Sequence, residues 1–129
     1  MPESTNTDSQ ISPRSRTGIA RLIAATRYSI AGIAAAFKSE EAFRLELLGF
    51  LILAPLAVWM GETNIEIVLL VCALLLVLIV ELLNTAIEAL VDRFGEGYHE
   101  LSRIAKDTGS AAVGISLLLV IFTWGMLLF

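Results

Sequence analysis

Glu81, Asn84, Glu88 and Asp92 close an apolar run that begins at Ile67. Carboxylates at that depth in a hydrophobic stretch are costly to keep, so each is a candidate for function. On a helix turning about 100° per residue, the four side chains share one face within an arc of roughly 80°. Leu82, Leu83, Ile87, Leu90 and Val91 are apolar and cover much of the remaining circumference. The pattern is a polar stripe on a membrane helix. Such carboxylates can take a proton from a reacting hydroxyl or hold a hard divalent cation, and nearby Lys and Arg can bind phosphate.

The elements that carry this stripe follow from the hydropathy pattern. The chain has 129 residues, 57% of them hydrophobic and 17% charged, a balance that points to one domain in a bilayer and away from an average soluble protein. Apolar segments predict an all-α integral membrane fold with transmembrane helices over about 43–60, 65–91 and 109–129, each near the ~17–25 residues that cross ~30 Å of hydrocarbon. Pro55 interrupts the first, which predicts a kinked span. Ahead of them, Ile19, Leu22, Ile23, Ile30, Ile33 and Phe37 form one narrow apolar stripe flanked by Arg27 and Lys38, the layout of an amphipathic surface helix over 17–38. A soluble helix packed on the loop is the alternative. Either places Arg21, Arg27 and Tyr28 at the cytoplasmic surface.

Residues 1–16 are expected to be a disordered leader and 17–129 the single membrane domain. No apolar core begins before Ile19, so a cleaved signal peptide is not expected. Ser39 is expected to cap the first span, with Glu40 and Arg44 pairing four residues apart. Glu41 reads as a solvated entrance; Glu46, followed by an unbroken apolar run, does not. The nine Lys and Arg residues avoid the short connection Gly61 to Asn64, which puts the N-terminus and the 92–107 loop in the cytoplasm and the C-terminus on the opposite side of the membrane. Trp59 and Trp124 are placed to anchor at interfaces. For Asp92 a structural reading, ending its helix and pairing with Arg93, stands level with a functional one.

Other chemistries lack their parts. Cys72 has no partner for an internal disulfide and reads as a small buried residue. His99, the single histidine, has no second soft ligand at zinc spacing. No Gly-x-x-x-x-Gly-Lys-Ser/Thr loop, protein-kinase signature or nucleic-acid footprint occurs. Three spans cannot enclose much alone, so a homo-oligomer is implied, its packing hiding the stripe from lipid. Two function classes remain: an interfacial enzyme, or a small ion-coupled transporter using a ring of Glu81. The ionisable residues of the second span gather at its cytoplasmic end, and Ile67 to Val80 has none. An enzyme fits better. Small residues at Gly109-Ser110-Ala111-Ala112 permit close approach of a backbone or a ligand.

The run Glu81-Leu82-Leu83-Asn84-Thr85-Ala86-Ile87-Glu88-Ala89-Leu90-Val91-Asp92-Arg93 closely resembles the prokaryotic integral-membrane diacylglycerol kinases. Glu40 through Glu46, Tyr98-His99-Glu100-Leu101-Ser102, and Ala105-Lys106-Asp107 through Val113 match in the family's order and spacing, from about Gly18 to the end. The resemblance implies a homotrimer, three transmembrane helices and a surface helix per protomer, with sites composed between subunits. It implies transfer of the ATP γ-phosphoryl group to diacylglycerol, giving phosphatidic acid. Glu81 would be the general base and Asn84 would orient the reacting group. Glu40 and Glu88 would hold Mg²⁺, and Lys106 would contact phosphate. Asp107, Tyr28, His99 and Arg21 would complete the MgATP pocket, while Arg21, Arg44, Glu46 and Ser110 would serve the lipid side. The chain departs from the family pattern in a longer leader, in Glu41 where alanine is frequent, and in Gly97 where an acid often precedes Tyr-His. A related branch phosphorylates undecaprenol; the Tyr98 to Ser102 and Gly109 to Ala112 segments favour the diacylglycerol branch.

Overall fold

The computed structural model describes residues 17–129, and the expected leader 1–16 lies outside them. The described chain is all-helical: α1 Gly18–Ser39, α2 Glu41–Met60, α3 Asn64–Asp92 and α4 Glu100–Leu128. All four are long and apolar enough to cross a membrane, α1 being the least apolar. By packing the chain divides into a unit ending at Gly32 and a second unit, Ile33–Phe129.

Within the second unit α3 is the central helix, packed on α2 and more extensively on α4. Its buried residues Leu70, Ala73, Leu74, Val77, Glu81 and Asn84 recur at three- and four-residue steps. That is one continuous stripe, apolar for its first two turns and polar at the end, because a step of three or four returns a side chain to the same face. Most other large apolar side chains stay exposed in the single chain, as lipid-facing or oligomer-facing surface requires.

Caps set the helix boundaries. Thr63 caps α3, its Oγ1 accepting from the Glu66 N–H at 3.2 Å, while Glu66 Oε2 accepts from the Glu62 N–H at 2.9 Å. This is a variant of the capping box, in which a third-position acid reaches back ahead of the helix. At the α1–α2 junction the expected Ser39 cap is not formed. Ser39 is the last residue of α1 and its Oγ donates to Ala35 O at 2.9 Å. Glu40, extended at φ −114° and ψ 111°, is the N-cap of α2 and makes no capping bond with its side chain. Nor does Arg44 pair with Glu40; its guanidinium donates to Phe37 O at 2.8 Å, satisfying a carbonyl at the end of α1. Pro55 does not break α2, which runs helical from Glu41 to Met60.

The largest difference from the sequence reading is α4. It starts at Glu100, nine residues ahead of the expected span. Hydropathy detects only the hydrocarbon-spanning part of a helix, whereas residues 100–108 are held by polar means. His99 Nδ1 accepts from the Leu101 N–H at 3.1 Å, and Arg103 bridges Glu100 and Asp107 on one face. Two smaller corrections concern side chains. Cys72 is exposed on α3 rather than buried. Trp124 is half-buried and turns inward, its Nε1 donating to Leu70 O at 3.3 Å, whereas Trp59 is 81% exposed.

Leu70 is fully enclosed where α4 crosses α3, so Leu70→Ala leaves a cavity. The expected cost is about 2–5 kcal/mol, read as a lowered Tm of the detergent-solubilised protein.

Candidate active site

The polar stripe of α3 emerges from the bundle by degrees. Glu81 is 3% exposed and Asn84 8% exposed, Glu88 is half-buried, and Asp92 is exposed. Asn84 Nδ2 donates to Glu88 Oε1 at 3.3 Å, linking two of the four. Glu40 at the start of α2, Glu46 further along the same helix, and Glu88 all lie within electrostatic reach of Glu81. Acidic side chains of α2 and α3 are therefore gathered at one end of the bundle. Two polar atoms there, Glu46 Oε2 and Asn84 Oδ1, are buried without a hydrogen-bond partner among the described residues.

α4 brings the opposite charge. Lys106 Nζ donates to Asp92 Oδ1 at 2.7 Å, tying the first turns of α4 to the end of α3. Asp92 therefore pairs with Lys106 and not with Arg93, whose backbone N–H instead continues the helix to Ala89 O. Between them the connection 93–99 turns at Gly95, whose φ of 98° is left-handed and suits glycine alone without strain. The connection walls a cavity of about 650 Å³ whose lining includes Asp92, Tyr98, His99, Arg103 and Lys106. That volume is within the usual ligand-pocket range of roughly 300–1,000 Å³.

The structure thus groups Glu40, Glu46, Glu81, Asn84 and Glu88 in one cluster, and His99 and Lys106 around the cavity. Asp107 is exposed and ion-paired with Arg103, Ser110 is exposed at the mouth of the apolar part of α4, and Arg44 holds the end of α1. Arg21 and Tyr28 are exposed on the part of α1 that belongs to the first unit. Sequence reasoning missed Arg103. Its signal was the spacing Glu100, Arg103, Asp107, three and four residues apart, which is legible only once the segment is read as helix. The Tyr98 hydroxyl donates to Glu100 Oε2 and fixes the loop against α4.

These features define a class: an all-helical membrane protein whose acidic cluster and basic partners meet at one end of the bundle, beside a ligand-sized cavity. The sequence comparisons are more specific. The model for the prokaryotic diacylglycerol kinase family matches residues 27–128, and the chain belongs to that family. Diacylglycerol kinase of Haemophilus influenzae is 51% identical over 113 residues, 88% of this chain and 96% of that protein. The proteins of the same name from Escherichia coli K12 and Pseudomonas aeruginosa are 49% identical over 112 residues and 45% identical over 115 residues. Those alignments cover 87% and 89% of this chain, and 92% and 94% of the respective relatives.

Arg103 joins Glu100 and Asp107 across the exposed start of α4. Arg103→Ala removes both pairs, which hold the helix locally at an exposed start. Faster amide hydrogen exchange is expected at residues 103–107, with the apolar part of α4 unchanged.

Proposed function

We propose that the chain transfers the γ-phosphoryl group of ATP to the free hydroxyl of diacylglycerol, forming phosphatidic acid at the cytoplasmic face of the bacterial inner membrane. The observation that carries this reading is the burial of Glu81 beside further carboxylates, in a chain whose relatives bear the name diacylglycerol kinase. In the proposed step the lipid oxygen attacks the γ-phosphorus in line, Glu81 takes the hydroxyl proton, and ADP leaves with the bridging oxygen. Asn84 orients the groups around it.

Glu40 and Glu88 are suited to the Mg²⁺ that accompanies ATP. Among the described residues no three His, Cys, Asp or Glu side chains form a metal cluster. Mg²⁺ does not require one, since it is commonly held by one or two carboxylates together with substrate phosphates. Glu40 leaves its side chain uncommitted to its own helix, and Glu88 engages only one oxygen with Asn84. The donors are hard oxygens, and the ion would offset charge on the phosphates. Lys106, exchanging Asp92 for phosphate, is the cationic contact. His99, Asp107, Tyr28 and Arg21 complete the nucleotide contacts, and Arg21, Arg44, Glu46 and Ser110 serve the lipid side.

In this reading α2, α3 and α4 cross the bilayer with the N-terminus inside and the C-terminus periplasmic. α1, the least apolar helix and the one carrying Arg21, Arg27 and Lys38, lies along the cytoplasmic interface. The chain assembles as a homotrimer, so neighbouring subunits cover the exposed apolar faces and contribute to each site.

Purified protein in detergent, given labelled ATP with diacylglycerol and undecaprenol in parallel, is expected to label phosphatidic acid. Glu81→Gln should keep the assembled state and lose about 10²–10⁴-fold in kcat. Glu88→Gln should raise the Mg²⁺ needed for half-maximal rate by about 10–100-fold. Label on undecaprenol alone would move the assignment to that acceptor. Ion flux in vesicles, lost in Glu81→Gln and without any lipid product, would replace the kinase reading with a transporter.

A further inference from the structure

Of the polar groups at the end of α3, the Asn84 carboxamide is the one whose orientation is set by the backbone of another helix. Its Nδ2 donates to Glu88 Oε1, and its Oδ1 is buried without a donor among the described residues. The surface that Oδ1 rests against is Gly109 of α4, itself buried. A Cβ added at Gly109 would overlap Asn84 Oδ1, and would stand 3.4 Å from Asn84 Cγ and 3.7 Å from Ile87 Cδ1. Backbone conformation does not call for glycine here, because φ at 109 is not positive. A glycine inside a helix is otherwise unfavourable relative to alanine. What the position supplies is room.

We propose that Gly109 is a positioning residue for phosphoryl transfer, acting through Asn84. By leaving empty the volume of a side chain, it lets the carboxamide settle with its carbonyl toward α4 and its NH₂ toward Glu88. The reverse orientation would set a carbonyl oxygen against a carboxylate oxygen and forfeit the hydrogen bond. One oxygen of Glu88 is then held and the other is left to a ligand, which is how an outer partner orients a metal-binding carboxylate. With any side chain at 109 the amide must turn aside, because it is the flexible end of Asn84 and the α4 backbone cannot retreat without opening the α3–α4 packing. This rests on the reading of Glu88 as a Mg²⁺ residue.

The test compares Gly109→Ala in two backgrounds, native and Asn84→Ala, by kinetics and by thermal melting in detergent. In the native background Gly109→Ala is expected to assemble, to lower kcat about tenfold or more and to raise the Mg²⁺ needed for half-maximal rate, with KM for the lipid unchanged. Its Tm should be unchanged or lower. In the Asn84→Ala background the same substitution should raise Tm, because the obstructed oxygen is gone and alanine is the better helix former. Should Gly109→Ala alone fail to assemble, the double variant should restore assembly. A native kcat and Mg²⁺ requirement in Gly109→Ala, the same Tm change in both backgrounds, or no rescue by Asn84→Ala would each overturn the proposal. If the native protein forms no phosphatidic acid, the functional reading fails separately, and the melting comparison still decides whether residues 109 and 84 are coupled.

Discussion

The fold is organised around the cost of taking a carboxylate out of water. Glu81 lies on the same buried stripe of α3 as Leu70, Leu74 and Val77, so a position built to exclude solvent holds an ionisable group instead. A buried polar atom left without a partner costs about 1–3 kcal/mol, and more if charged. Two such atoms, on Glu46 and Asn84, sit nearby. Dispersion packing along the apolar part of α3 and α4 must outweigh that penalty, and α3 is accordingly the helix that packs on both its neighbours. Stability is concentrated in the apolar half, leaving the polar end free to be shaped by chemistry.

Where the cluster lies along the helix is also dictated by this cost. Two turns beyond Glu81, at Glu88, the stripe begins to open, and by Asp92 it is exposed and neutralised by Lys106. In the proposed reaction a gradient from enclosed to solvated acid, facing Lys106 on α4, would let a lipid hydroxyl arrive from the apolar side and a phosphate from the aqueous side. Groups with opposite solubility can then meet without either leaving its own phase.

Much of this was legible in the sequence because hydropathy and helical period are local signals. The spans of α2 and α3, the shared face of Glu81, Asn84 and Glu88, and the family motif all depend on spacing within one helix. The start of α4 was not legible, because residues 100–108 are helical through a cap at His99 and ion pairs at Arg103, and apolar runs do not register such support. Partner choices also escaped. Arg44 and Asp92 each had a neighbour in sequence as the obvious mate, yet Arg44 ends α1 and Asp92 reaches 14 residues ahead to Lys106. The inward turn of Trp124 and the exposure of Cys72 depend on which face of each helix meets another, and that is not a local signal.

The cap at the head of α4 has one more effect. An imidazole that accepts the Leu101 N–H at Nδ1 carries its proton, when neutral, on Nε2. The backbone thereby selects the tautomer of the only histidine in the chain. On the cavity it lines, that ring can act as a hydrogen donor through Nε2, and it would discriminate in favour of ligand atoms bearing lone pairs.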